Sequence, residues 1–324
     1  MTRFSRHLAF LLFAIAPAIC STACAQTFPV KPVRIVVGYP PGGGIDLVSR
    51  ILAPKLAEAL GQPVIVENKP GANGALAAEF VAKSLPDGYT IYIGTSGNLV
   101  INSLFYPNLP VSIERDFAPI TQVASASFII VSNPSFPVKT VAELVAYARA
   151  HPGKVNYSSG GNGSTGHLAG EYFRALAGIE TVHIPYKGSA PSISDLIGGH
   201  VQYSIDATAI AMPHVKAGKL RALGTASPQR LEYLPDLPAI AETLPGYDVV
   251  NWYGMVVPTG TPRDIIVRLR NEIVKALSIP EVREKMIALG TEPVGGTGEE
   301  LNKLMKAERA KWASVIKQSN IHPD

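Results

Sequence analysis

The chain has 324 residues, 29 basic against 25 acidic side chains, 17% charged and 47% hydrophobic residues, and two cysteines. At roughly 150 residues per domain, that length supports about two domains with cores of their own. The composition excludes a disordered tail and a basic nucleic-acid-binding surface, and the 29 glycines and 27 prolines favour a turn-rich α/β chain over a helical bundle.

Both cysteines fall in the first 24 residues. Arg3 and Arg6 precede an apolar run over 8–19, and Ala23-Cys24-Ala25 reads as an A-x-A cleavage signal. Residues 1–25 are expected to be a secretory signal peptide, because the run is shorter than the roughly 20 residues that span a bilayer. The alternative, a lipid attached at Cys24, lacks the usual aliphatic residue in Ser21, Thr22 and Ala23. Removal of the leader takes Arg3 and Arg6 with it and leaves a cysteine-free chain of formal charge +2. Disulfides, cysteine-ligated zinc and a cysteine nucleophile are thereby excluded.

From Gln26 short β-branched runs alternate with amphipathic stretches. A strand is predicted over 33–39, then a helix capped by Asp46, with Val48, Leu52, Leu56 and Leu60 on one face and Gly61 at its end. A strand at 64–66, a helix over 75–83 and a strand over 89–94 follow, an order that implies a parallel sheet flanked by helices. The alternation breaks between 117 and 133 into two extended segments. It restarts with a helix opened by the capping box Thr140-Val-Ala-Glu143, a strand at 154–158 and a helix over 167–177 presenting Leu168, Tyr172 and Leu176. A strand at 182–186, a helix at 192–197 and strands at 201–206 and 220–225 complete a second α/β unit. An extended run over 249–257 precedes three helices with no strand between them. Their expected starts are Pro262 at a first helical position and capping boxes at Ser278–Glu281 and Thr297–Glu300. Three such helices need a sheet from elsewhere, so lobe 1 is expected to comprise 26–126 and 251–324, lobe 2 to comprise 127–250, and the two extended crossings to form a hinge.

Ligands of open α/β sheets sit beyond the carboxyl ends of the strands. That rule selects Tyr39-Pro-Pro-Gly-Gly-Gly-Ile-Asp46 and Thr95-Ser-Gly-Asn98 in lobe 1, and Ser158-Ser-Gly-Gly-Asn-Gly-Ser-Thr-Gly-His167, Tyr186-Lys-Gly-Ser189 and Asp206 in lobe 2. Glycine loops that open helices leave N–H groups free to hold an anion, so one loop per lobe could clamp one anionic group. Asp46 reads more readily as a helix cap than as a ligand contact, since a carboxylate repels an anion. Asp206 fits equally a turn residue or an acceptor for a ligand amine or hydroxyl, and Lys187 equally an anion partner or a solvated lysine. Gly161-Asn-Gly-Ser-Thr-Gly166 matches a dinucleotide fingerprint, but the following strand leads to Lys187 where an acidic residue would hold the ribose. No G-x-S-x-G, H-E-x-x-H or P-loop occurs, and the histidines show no i, i+4 pairing, so neither a hydrolase nor a helical metal site is expected. No cofactor is implied.

The two glycine loops occur in order with Glu67-Asn-Lys-Pro-Gly-Ala-Asn-Gly74, Pro86-Asp-Gly-Tyr-Thr90, Ile184-Pro-Tyr-Lys-Gly188, Asp195-Leu-Ile-Gly-Gly199, Gly218-Lys-Leu-Arg-Ala222 and Val257-Pro-Thr-Gly-Thr-Pro262. Together these closely resemble the Bug-type receptors, the periplasmic solute-binding proteins of tripartite tricarboxylate transporters. The resemblance implies a two-lobed periplasmic-binding fold that closes over a small carboxylic acid and delivers it to membrane permease subunits, the receptor itself being a monomer. By the same resemblance, the carboxylate is held by Tyr39, Gly43, Gly44 and Asp46 from one loop and Ser159, Gly160, Ser164, Thr165 and His167 from the other. Thr95, Ser96, Asn98, Tyr186 and Asp206 are then the contacts that choose the rest of the ligand, and Ile45 narrows the space for a citrate-sized one. The alternative is a sensor whose closed form docks on a membrane kinase.

Overall fold

The protein is described here by a computed structural model, which covers residues 28–106, 108–231 and 233–318. The expected signal peptide and both cysteines lie outside the described residues. The first unit runs β1 (Val33–Val37), α1 (Gly44–Leu60), β2 (Val64–Asn68), α2 (Ala75–Ala82), β3 (Thr90–Thr95), a π-helical turn (Gly97–Ile101), α3 (Asn102–Phe105) and α4 (Ile113–Asp116). The long strand β4 (Phe117–Ser132) leads to α5 (Val141–Ala150), β5 (Val155–Ser159), α6 (Thr165–Ala177), β6 (Thr181–Pro185), α7 (Ser189–Ile197), β7 (Tyr203–Ala207), α8 (Thr208–Lys216) and β8 (Arg221–Thr225). The chain ends with β9 (Val250–Pro258), α9 (Arg263–Leu277), α10 (Pro280–Ala288), β10 (Thr291–Gly295) and α11 (Gly298–Gln318).

Parallel strands β2-β1-β3 are extended by antiparallel β9 and β4, and β10 pairs antiparallel with the middle of β4, from Gln122 to Ala126. The last residues of β4, from Phe128, pair antiparallel with β7 and β8, and β7 continues into parallel β5 and β6. The two extended segments expected on either side of residue 125 are therefore one strand. Its partners change between Ser127 and Phe128, so a single strand serves both sheets and gives the molecule its two lobes.

The pattern of α1 is fulfilled: Val48, Leu52, Leu56 and Leu60 are buried against β1 and β3, and Gly61 ends the helix in the left-handed conformation with φ 68°. Asp46, however, is not its cap. The helix starts at Gly44 behind Gly43, because the Asp46 carboxylate reaches back to the Gly42 N–H and is consumed there. Thr140 and Thr297 do cap α5 and α11, accepting from the Glu143 and Glu300 N–H groups. The box expected at Ser278 does not form, since α9 ends at Leu277 and the Ser278 hydroxyl turns back to Val274 O. Pro262 occupies the cap position of α9 rather than its first turn.

The π-helical turn and the short helices α3 and α4 were not predicted, and neither were α8 and β10. α8 carries Pro213 within it and reads as broken. The edge strand β10 contains Pro293, and it contradicts the expectation of three helices with no strand between them. On α6 the buried face runs through Leu168, Ala169, Phe173 and Ala177, whereas Leu176 is exposed. Helix α11, expected wholly in lobe 1, buries Leu301 against Trp252 and Val256, and Trp312 and Val315 in the core that holds Phe173 and Tyr247.

Candidate ligand-binding cleft

Four helices begin at one place. The starts of α1 (Gly43, Gly44), α6 (Ser164, Thr165), α7 (Gly188, Ser189) and α8 (Ala207) all line a cleft of about 70 Å³. Strands β1, β5, β6 and β7 each deliver their carboxyl ends there, as the α/β rule requires. Each helix start carries roughly half a positive charge, and no lysine or arginine among the described residues lines the cleft. Its positive potential is therefore built from backbone. Ile45, Phe128, Pro191 and Tyr253 supply apolar walls. A larger chamber of about 1010 Å³ adjoins it, sharing Tyr39, Pro40, Gly160 and Gly188, with Phe105, Tyr106, Leu109 and Tyr186 on its sides.

Tyr39, Gly43, Gly44, Thr95, Gly160, Ser164, Thr165 and Asp206 are brought together around the cleft. Tyr39 donates to Asn73 Oδ1 at 2.6 Å and accepts from Asn98 Nδ2 at 3.0 Å, which fixes the ring. Burial raises the pKa of its phenol. Asn98 also receives the Thr95 N–H and donates to Asn73 O, so it holds the loop from behind and does not line the cleft. Gly44 has to be glycine for lack of room: a Cβ there would lie 2.8 Å from the Tyr253 hydroxyl.

The remaining expected residues lie elsewhere. Asp46 is buried and accepts from Arg50, Asn68 and the Gly42 N–H. Burial alone would raise its pKa, yet these hydrogen bonds outweigh burial and hold it below the ordinary carboxylate value. Ser96 donates to Asn251 Oδ1 at 2.9 Å, and Thr165 donates to the same oxygen at 3.2 Å, so β9 is tied to both lobes here. Ser159 lies 2.7 Å from His183 Nε2, and His167 is buried beneath the loop, its Nδ1 accepting the Gly163 N–H at 3.1 Å. Tyr186 faces the larger chamber and donates to Asp195 at 2.5 Å; burial and that carboxylate push its phenol up to about 12.

Asp206 is buried at the end of β7, 2% exposed. Its Oδ1 accepts from Ser189 Oγ at 2.6 Å and from Ala207 N at 2.7 Å. Burial pushes its pKa up to about 6, although those two donors pull the other way. Sequence reasoning missed Asn251, Tyr253 and Phe128 as lining residues. The signal available was Asn251, a polar break in an apolar extended run.

Two lobes, each α/β, with helix starts from both facing a cleft between them, define a periplasmic binding protein. The chain belongs to the tripartite tricarboxylate transporter receptor family, whose model matches residues 48–321. It is 34% identical over 318 residues to Protein BugT of Bordetella pertussis, covering 97% of this chain and 98% of that one. It is 38% identical over 313 residues to the UPF0065 protein in the tcbD-tcbE intergenic region of Pseudomonas sp. strain P51, covering 96% and 93%. Among solved structures, R. palustris Rpa4515 with adipate superposes with a TM-score of 0.89 at 36% identity, over 92% of this chain and all of that one. MatC (Rpa3494) from Rhodopseudomonas palustris with bound malate gives 0.85 at 31% identity, over 89% and 100%. Among the described residues no helix is long and apolar enough to cross a membrane.

Proposed function

We propose that this chain is an exported receptor that captures a small carboxylic acid between its lobes and delivers the closed, liganded form to a membrane permease. The observation that carries this reading is the uncapped start of α1, whose Gly43 offers no side chain to its own helix, facing the start of α6 across the cleft. A carboxylate there completes the hydrogen bonding of helix N–H groups and meets two helix dipoles at once. Tyr39, Gly43, Gly44 and Thr95 are the contacts from lobe 1, and Gly160, Ser164, Thr165 and Asp206 those from lobe 2. Closure turns on the crossings near residues 127 and 250. Ligand shifts the balance toward the closed form only because both lobes touch it. Residues 1–25 serve as the cleaved export signal, and the receptor works as a monomer.

Titration calorimetry with a panel of monocarboxylates, dicarboxylates and amino acids is expected to find at least one micromolar ligand. Deleting the gene is expected to abolish uptake of that compound. A panel without any binder overturns the reading.

A further inference from the structure

The cleft contains one carboxylate that the rest of the chain does not satisfy. Asp206 Oδ1 has two donors, whereas Asp206 Oδ2 is fully buried with no hydrogen-bond partner. A buried carboxylate oxygen left without a donor is costly, and a charged one more so. Among the described residues no lysine or arginine lines the cleft, and Lys187 lines the outer chamber instead. The Tyr39 hydroxyl spends its proton on Asn73, and the Tyr253 hydroxyl, which also lines the cleft, makes no hydrogen bond to Oδ2. Ser189 and Ala207 are both committed to the other oxygen.

The carboxylate also lies close to the expected anion position. A Cβ on Gly44 would come within 3.9 Å of the Ala207 Cβ, so the start of α1 and the residue following Asp206 face each other across a methyl-sized gap. The site therefore presents positive backbone ends and one negative side chain a short distance apart. A plain dicarboxylate would bring a second negative charge against Asp206, and like charges buried together disfavour each other. A zwitterion reverses that sign and fills Oδ2 with a charge-assisted hydrogen bond.

We propose that Asp206 Oδ2 receives the ammonium group of a ligand whose carboxylate lies at the starts of α1 and α6, so that this receptor takes an amino acid rather than a plain di- or tricarboxylic acid. The inference rests on the receptor reading above and deepens it. Adipate and malate, bound by the two neighbours named above, carry no nitrogen.

The test is titration calorimetry at pH 7.5 with L-amino acids of each side-chain class, their 2-hydroxy analogues and unbranched four- to six-carbon dicarboxylates, on the wild type and on Asp206→Asn. At least one amino acid is expected to bind about tenfold or more tighter than its 2-hydroxy analogue. Asp206→Asn is expected to weaken that amino acid about 100-fold and to remove its advantage over the 2-hydroxy analogue. A wild type that prefers dicarboxylates, or a folded Asn variant that keeps amino-acid affinity, overturns this inference and leaves the receptor reading intact. The wild-type comparison decides the matter even if the variant does not fold. Silence from every carboxylate overturns the receptor reading and this inference with it.

Discussion

The two glycine loops look interchangeable in sequence and are not so in structure. The loop over 39–46 anchors itself by an acid inside the following helix: Asp46 holds the Gly42 N–H, Arg50 and Asn68 on the side away from the cleft. That leaves the first turn of α1 without any side-chain cap. The loop over 158–167 turns its polar groups inward instead. Ser164 caps α6 by accepting the His167 N–H, and His167 Nδ1 accepts the Gly163 N–H. Loop 1 therefore offers open donors, while loop 2 offers a rigid, largely self-satisfied wall with the Ser164 and Thr165 side chains facing the cleft. The lesson is that a glycine-rich helix start becomes an anion site only when nothing local caps it.

Gly43→Asp should break this contrast most strongly. A Cβ there meets only Pro40 O, at 3.8 Å, and φ is −76°, so the side chain fits and becomes the missing cap. Calorimetry should show a loss of carboxylate affinity of roughly 1000-fold or more, with the melting temperature unchanged or raised. Affinity within a few-fold of wild type would place the anion elsewhere.

The next effect belongs to Asp206. Its folded-state pKa is about 6 against an ordinary 3.8, so between those values the folded state holds a proton that the unfolded state releases. Its contribution to stability is thus fully present below about pH 4 and lost as pH rises through 6. The groups facing it, Ser189, Ala207, Tyr39 and Tyr253, do not change charge in that window. Ligand-free Asp206→Asn should then be more stable than wild type at pH 7.5 by on the order of 3 kcal/mol, with the difference shrinking toward pH 4. Urea titrations at both pH values measure it; a difference that grows toward pH 4 would contradict the assignment.

Ser164→Ala should have the smallest effect. Loss of the α6 cap costs about 1 kcal/mol of stability by denaturant titration. Affinity should fall by less than about tenfold, because loop 2 loses one hydroxyl and keeps its backbone. A larger loss in affinity than in stability would give loop 2 the leading role and reverse the contrast.

Much of the fold was legible because burial on one face writes a period into the sequence, as Val48, Leu52, Leu56 and Leu60 do in α1. Among the elements missed, α3 and α4 are single turns too short to write a period, and α8 with Pro213 inside it and β10 with Pro293 have local chemistry that argues against them. In the cleft, the glycine loops and Asp206 were visible as strand-end residues. Ser96, Asn98 and His167 look like ligand contacts in the sequence, although their side chains are already engaged with Asn251, Thr95 and Gly163 and they do not line the cleft.

The sequence by itself determined an α/β chain, most of its longer helices and the family to which it belongs, because periodicity and glycine placement are local properties. Only the tertiary structure decided which of those helix starts face one another and which polar atoms remain unspent. Asp46 and Asp206 look alike as acids beside helix starts, yet one has donors on both oxygens and the other lacks a donor on Oδ2. That difference depends on neighbours far away along the chain, such as Asn68 and Ser189, which only folding brings near.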